Sequence, residues 1–364
     1  MPAIARKRFF ENLDALRFIS FAGVFAAHAF FSDKNGGAGT ENLGHLGRLG
    51  VDFFFVLSSF LITWIILEEK RDTGKFHARL FFIRRALRIW PVYFLLVGGA
   101  LLLVTVEEHS GLRQSIMPST VSLFTFTLNF FIASNGPHFL FFLVFLWSIA
   151  VEEQFYLGWA FFMKYATKLL VPCCLVLLSA SVLFRWTAFA NSNQVYFNTL
   201  SVMGNFALGA WCAWETFSGK FLLRLAHRAG RMLWAFIYLL LILSLVFYRQ
   251  VFTGQLAVSF ERAWFASLFS FIILEQGFAS QPLIRFGKWP AINYLGRISY
   301  GLYCYHGVVL TLAMKALAGS QLDDAWPRKL LPGILFLFTI FAASLSYRFY
   351  EKPFLQLRKK FYPA

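Results

Sequence analysis

The chain has 364 residues, of which 58% are hydrophobic and 14% charged, and apolar runs long enough to cross a bilayer recur throughout. This argues against a soluble globular protein. The formal charge of +16 does not indicate a nucleic-acid binder either, because the 34 Lys and Arg are scattered over many loops without a concentrated basic face. The runs and their short connections use up the length, so the sequence predicts an all-α integral membrane protein built as one domain over residues 1–364, with no separate soluble domain.

Ten candidate crossings follow in chain order, at 13–31, 50–67, 89–106, 138–163, 169–189, 198–214, 232–248, 258–276, 295–315 and 330–350. With both termini cytoplasmic, the inner segments hold 22 Lys and Arg and the outer segments hold 6, and this bias sets the orientation. The basic Arg6-Lys7-Arg8 start and the small-x-small Ala27-His28-Ala29 imitate a secretion signal. Asp14 and Arg17 inside the apolar part speak against one, and the first helix is read as retained.

An eleventh stretch, Val121–Ala133, is short, carries Thr125, Thr127 and Asn129, and ends in Ser134-Asn135-Gly136-Pro137. An odd number of crossings would put either the basic start or the tail with Lys352, Arg358, Lys359 and Lys360 outside. The expectation is therefore a bundle of about ten transmembrane helices with one re-entrant or interfacial segment. All four cysteines (Cys173, Cys174, Cys212, Cys304) fall inside crossings and two are adjacent, so no disulfide framework is implied. There is no zinc-ligand spacing and no phosphate-binding Gly-rich loop, so neither a metal nor nucleotide hydrolysis is expected.

Arg17 and His28 share the first crossing, where ionisable groups are costly enough to need a reason. Eleven residues at about 100° each make three turns plus about 20°, which puts both on one helix face, about 16 Å apart along the axis. The second crossing opens with Gly50-Val-Asp-Phe-Phe-Phe-Val-Leu-Ser-Ser59. Ser58 and Ser59 suit close helix packing better than nucleophilic work, and Asp52 either caps the helix or holds a polar ligand.

In the next basic loop, Arg85 and Arg88 stand three residues apart ahead of Trp90-Pro91. Positive-inside topology accounts for most of this loop, while a two-guanidinium clamp for phosphate is the sharper reading. The fourth crossing, through Ser148-Ile-Ala-Val-Glu-Glu-Gln-Phe-Tyr156, carries Glu152 and Glu153 near its middle. Adjacent residues point about 100° apart, so one carboxylate is expected in an ion pair and the other in a ligand or catalytic role. Near the end, His306 follows a Tyr-rich run and reads as a packed imidazole, while Arg348 and Glu351 are spaced to pair at a helix end that Pro353 stops.

Jointly these marks resemble the acyltransferase-3 family of bacterial membrane acyltransferases. The resemblance runs from Leu13-Asp-Ala-Leu-Arg17 with His28, through Gly50–Ser58, Arg85-Ala-Leu-Arg88 and Ser148–Tyr156, to Ile298-Ser-Tyr-Gly-Leu-Tyr303 and Tyr347-Arg-Phe-Tyr-Glu-Lys-Pro353. It implies a ten-helix enzyme that takes an acyl group, usually acetyl, from acetyl-CoA on the cytoplasmic side and passes it to a hydroxyl of a cell-surface sugar. His28 matches the family's essential histidine, and Arg17, Arg85 and Arg88 match marks usually interpreted as coenzyme-A binding. Ser59 replaces the usual Gly, and no esterase-like domain is expected after the last helix.

On this reading His28 is the general base and Glu153 its catalytic partner, Arg17, Arg85 and Arg88 hold acetyl-CoA, and Asp52, Ser148, Glu152 and Tyr156 contact the sugar or lipid-linked glycan acceptor. An imidazole with an ordinary pKa near 6.5 can take the proton of an attacking hydroxyl. Direct transfer and an acyl-histidine intermediate both stay open. The expected location is the bacterial inner membrane. A transporter with an Arg-, His- and Glu-lined path is the alternative, without a paired broken-helix pattern to favour it, and a scaffold has no use for His28 or Glu153 inside the bilayer.

Overall fold

The computed structural model describes residues 10–30, 38–109, 117–317 and 326–362. Its helices in chain order are α1 Glu11–Phe30, α2 Ala38–Thr73, α3 Ala78–His109, α4 Thr120–Phe124, α5 Leu128–Asn135 and α6 Phe141–Val144. There follow α7 Leu146–Tyr165, α8 Leu170–Thr187, α9 Ser192–Phe197, α10 Thr199–Phe217, α11 Phe221–Arg228 and α12 Arg231–Val246. The remainder are α13 Tyr248–Val251, α14 Gly254–Phe278, α15 Pro290–Arg297, α16 Ser299–Leu317, α17 Trp326–Ser346 and α18 Lys352–Arg358. No strand occurs among the described residues. Helix is the expected solution, because a lipid-facing backbone must satisfy its own hydrogen bonds. Large apolar side chains such as Met232 (88% exposed), Leu102 (67%) and Leu337 (66%) stand outward, as a lipid-facing wall requires.

Among the described residues six helical stretches are long and apolar enough to cross a membrane: Gly44–Thr73, Ala78–Val106, Phe141–Tyr165, Thr167–Thr187, Gly254–Phe278 and Leu330–Phe361. A seventh is added if Phe221–Arg228 and Arg231–Val246, bent by 107°, form one broken span. Each of the ten segments read from the sequence overlaps a helix, but α1, α10 and α16 do not belong to this strongly apolar group. Their sequences explain it: Asp14 and Arg17 in α1, Asn205 in α10, and His306 with three Tyr in α16 dilute the hydropathy of helices only 19 or 20 residues long.

The stretch Val121–Ala133 falls within α4 and α5, helices of 5 and 8 residues. Both are far short of the about 20 residues a crossing needs. Phe126 breaks them apart at φ 53, the left-handed region that bulky side chains avoid. Gln154 of α7 holds the break by donating to the Phe126 carbonyl (2.7 Å) and to Asn129 Oδ1 (2.8 Å).

Two compact units divide the chain, and their pieces alternate in sequence: residues 1–76, 165–195 and 200–297 form the first, and 77–164, 196–199 and 298–364 the second. In the first unit Phe10, Phe60, Trp64 and Phe278 interlock as an aromatic core, with ring centroids 5.2–6.3 Å apart. There α1 lies along α2, so closely that a Cβ at Gly50 would stand 2.7 Å from the Ser20 carbonyl oxygen. The same economy joins α2 to α10: Ser59, fully buried and donating to the Val56 carbonyl (2.9 Å), fits because Gly209 opposite has no side chain.

In the second unit α3 and α7 carry the candidate site residues. Tyr300 and Tyr350 donate to the carbonyls of Ile89 (2.6 Å) and Pro91 (3.1 Å), which ties α16 and the turn after α17 to α3 around its internal proline. Two expectations for the chain end need correction. Tyr347–Glu351 forms a five-residue π-turn, and that wider turn takes Arg348 and Glu351 off a common face. Arg348 is exposed over the Phe349 ring (5.5 Å), while Glu351 is buried and accepts from Ser346 Oγ (3.0 Å). Pro353 does not stop a helix. It sits in the first turn of α18, where its missing N–H has no intrahelical partner to lose.

Candidate active site

The first unit carries Arg17, His28 and Asp52. Arg17 forms an ion pair with the buried Asp14 one turn before it, which keeps its charge tolerable on an apolar helix. His28 is on the last turn of α1 and partly buried, one residue after Ala27, which meets α2 at Gly47. The close α1–α2 seam therefore fixes the depth of the imidazole. Asp52, within α2, is 3% exposed. Its Oδ1 meets Arg262 Nε at 3.2 Å and accepts from Asn205 Nδ2 at 2.7 Å.

Asp52 is thus one corner of a buried network absent from the sequence reading. Arg262 also donates to Ser201 Oγ (2.9 Å) and the Val195 carbonyl (3.3 Å). Arg185 donates to the Val258 carbonyl (3.0 Å from Nε) and to Ser201 Oγ (3.2 Å), and pairs with Glu261 (2.9 Å). Glu261 accepts from Tyr248 (2.5 Å), whose ring stands 3.7 Å from His45. Two guanidiniums and two carboxylates balance, and both Arg185 and Arg262 also donate to carbonyls and to the Ser201 hydroxyl, which lowers the cost of burying them. The signal for these residues was available: Arg185 lies in the 169–189 segment and Glu261-Arg262 in 258–276, and intramembrane charge is itself a flag.

The second unit carries Arg85, Arg88, Ser148, Glu152, Glu153 and Tyr156. The two adjacent carboxylates of α7 take different surroundings. Glu152 accepts from Tyr156 across one helical turn (2.7 Å). Glu153 faces the Trp90 indole N–H (3.4 Å) and the charge of Arg85, and its Oε1 is buried without a hydrogen-bond partner. A buried carboxylate oxygen with no donor is the strongest local sign of an unfilled polar task. Ser148 and Tyr303 share a hydrogen bond between hydroxyls (2.8 Å).

Arg85 and Arg88 meet different neighbours. Arg85 lies over the rings of Phe81 (5.5 Å) and Tyr156 (5.6 Å), whereas Arg88 acts on Glu351 and Arg358. Gln154, Asn129 and Thr199, whose partnership the sequence does not announce, form a closed chain: Thr199 donates to Gln154 Oε1 (2.5 Å) and Asn129 Nδ2 donates to Thr199 Oγ1 (2.8 Å). His306 is fully buried, its Nδ1 beside the Tyr303 carbonyl and its ring 4.5 Å from that of Phe145, the environment of a packed imidazole.

A family model described as an acyltransferase domain matches residues 10–348. The chain belongs to the acyltransferase-3 family. A peptidoglycan O-acetyltransferase of Listeria monocytogenes is 26% identical to it over 95% of this chain and 56% of its own length. A Bacillus subtilis protein provisionally named a peptidoglycan O-acetyltransferase is 27% identical over 95% of this chain and 55% of its own. A Staphylococcus aureus protein provisionally named an O-acetyltransferase is 26% identical over 96% of this chain and 58% of its own. The chain thus spans a little over half the length of the curated relatives it matches. No solved structure matches it. As a member of the acyltransferase-3 family with several strongly apolar helices, it is an integral membrane protein.

Proposed function

We propose that this chain is a membrane O-acyltransferase, moving an acetyl or other acyl group from acetyl-CoA to a hydroxyl of a cell-envelope sugar or glycolipid. The observation that carries this reading is the family match over residues 10–348. The names of the Listeria and Bacillus relatives add a cell-wall glycan, peptidoglycan above all, as the acceptor class. The whole chain acts as one domain on this reading, consistent with the way its two units alternate in sequence. Ten helices cross the inner membrane with both termini cytoplasmic.

The chemistry assigned to the residues is acyl transfer from a thioester. His28 takes the proton as the sugar oxygen attacks the thioester carbonyl carbon; the C–S bond breaks, and the coenzyme-A thiolate leaves with the electron pair. Glu153 serves as the second catalytic group, and its unpartnered buried oxygen supports that role. Arg17, Arg85 and Arg88 hold the donor, while Asp52, Ser148, Glu152 and Tyr156 contact the acceptor. No metal takes part in this scheme.

The test is thioester turnover by the purified protein in vesicles with acetyl-CoA and a soluble cell-wall glycan fragment. The expected result is glycan-dependent release of the coenzyme-A thiol together with a base-labile ester on the sugar. Glycan carried across the vesicle unmodified, with no thiol released, would support a transporter instead. The orientation has its own check by cysteine-accessibility labelling. Cysteines introduced at Ser119 and Asn135 should both react from outside, and finding them on opposite faces overturns the ten-crossing arrangement.

A further inference from the structure

In the first unit, the connection after α14 is held from behind by buried polar groups that the catalytic scheme leaves unused. Glu275, 1% exposed near the end of α14, accepts from the Leu283 N–H (2.7 Å), the Tyr238 hydroxyl (2.7 Å) and Gln276 Nε2 (3.0 Å). Gln276 also donates to the Ile284 carbonyl (2.9 Å). Asn12 of α1 accepts from the Gly287 N–H (2.9 Å) and donates to the Gln276 carbonyl (2.8 Å), while Asn293 of α15 donates to the Gly287 carbonyl (2.7 Å). A Cβ at Gly287 would run into the Asn12 side chain. A connection whose backbone is tied at Leu283, Ile284 and Gly287 is a built surface, unlike the slack loops that usually join helices.

That surface and Arg231, the first residue of α12, line an open pocket of about 340 Å³, within the range of small-ligand sites. Arg231, Arg285 and Lys288 bring three positive charges to it, and no carboxylate lines it. Among the described residues the side chains of these three make no ion pair or hydrogen bond. Trp289, Leu283 and Ile284 add exposed apolar surface to the same pocket, and exposed Met232 follows Arg231 on α12. The helices give its depth. α12 packs beside α14, and the pocket lies where the one begins and the other has just ended. There α11 turns from α12 by 107°, the course of a helix lying along a membrane surface, with Leu223 and Ala226 buried and Arg224 and Arg228 exposed.

We infer that this pocket binds the headgroup of an anionic phospholipid. The lipid phosphate supplies the negative charge that three cations at one pocket call for, and basic pockets at helix ends suit such headgroups. Trp289 belongs at the bilayer interface, and the exposed Leu283, Ile284 and Met232 offer acyl chains an apolar path beside the charges. A soluble anion would use the cations but not this apolar rim. Positive-inside topology asks only for cations on one side of the membrane. It gives no reason to fix their backbone with a buried carboxylate and the amides of Gln276, Asn12 and Asn293. On the orientation proposed above the lipid belongs to the cytoplasmic leaflet, while the binding itself does not depend on acyl transfer.

The full chain in phosphatidylcholine nanodiscs containing phosphatidylglycerol is released and read for retained lipid by native mass spectrometry. The wild type should keep phosphatidylglycerol in preference to phosphatidylcholine, and Arg285→Gln combined with Lys288→Gln should weaken that retention about tenfold or more. Arg231→Gln, on a different element, should act in the same direction and decides the matter if the double variant does not fold. Lys359→Gln combined with Lys360→Gln removes two exposed cations from the end of the chain and should leave retention unchanged. The inference is overturned if folded pocket variants keep their phosphatidylglycerol, or if the Lys359 and Lys360 variant loses as much, which would return all these cations to topology alone. Inorganic phosphate that binds the delipidated wild type in detergent, but not the pocket variants, and that displaces no lipid would assign the pocket to a soluble anion and overturn it as well.

Discussion

His28→Ala should fold, insert and still bind coenzyme A, yet transfer acetyl about 100-fold or more slowly than the wild type. The expectation follows from what is removed. A general base helps only while the proton is moving, so its loss falls on kcat and leaves ground-state donor affinity in place. The close α1–α2 seam at Gly50 does not depend on the imidazole, and this argues for an intact fold. Arg17→Ala should fail differently: it strips the buried Asp14 of its ion-pair partner, so it should lower stability and weaken donor binding before it touches the chemical step. His306→Ala is the informative control. Its ring is fully buried beside Phe145, so truncation opens a cavity and lowers the melting temperature while a folded fraction keeps its transfer rate. Wild-type transfer by His28→Ala together with a folded but inactive His306→Ala would move the active site to α16.

The helical architecture was legible because long apolar runs leave few alternatives, and every segment read as a crossing overlaps a helix. The break at Val121–Ala133 was legible too, through its polar threonines and Asn129, although nothing local announced the left-handed Phe126. The π-turn was not. Tyr347–Glu351 has the composition of ordinary helix, and the wider turn is decided by what Glu351 and Ser346 meet in space. Reading Arg348 and Glu351 as a pair failed for that reason.

The site residues divide in the same way. Individual ionisable groups in apolar runs can be picked out by their cost, which is the signal carried by Arg17, His28 and Glu153. Their partners cannot. Asp52 and Asn205 lie 153 positions apart, and no periodicity connects α2 with α10 over such a distance. Near-adjacent residues also meet surroundings that spacing does not announce. Arg85, three residues from Arg88, lies over the rings of Phe81 and Tyr156, while Arg88 has Glu351 and Arg358 as its charged neighbours. Helical spacing gives direction from the axis, while the neighbouring helices decide what a long side chain reaches.

The largest stability loss is expected at Arg262→Met. Asp52 and Arg262 are each 3% exposed, so the substitution leaves a carboxylate in a low-dielectric interior with, among the described residues, Asn205 as its remaining hydrogen-bond donor. Removing one partner of a buried ion pair typically destabilises by about 3–5 kcal/mol, far more than the pair contributes relative to a well-packed apolar substitute. The double variant Asp52→Asn with Arg262→Met should therefore recover most of the loss, because it removes the stranded charge as well. Denaturant or thermal unfolding in detergent, read as a double-mutant cycle, measures the coupling directly. Arg185→Met should behave like the single Arg262 variant, since it strands Glu261 and leaves Tyr248 as that carboxylate's hydroxyl donor. If Arg262→Met is as stable as the wild type, the network does not hold α2, α8 and α14 together, and Asp52 retains its charge for a ligand. If the double variant is stable but no longer transfers acetyl, Asp52 does both, and its burial among the guanidiniums positions it for the acceptor.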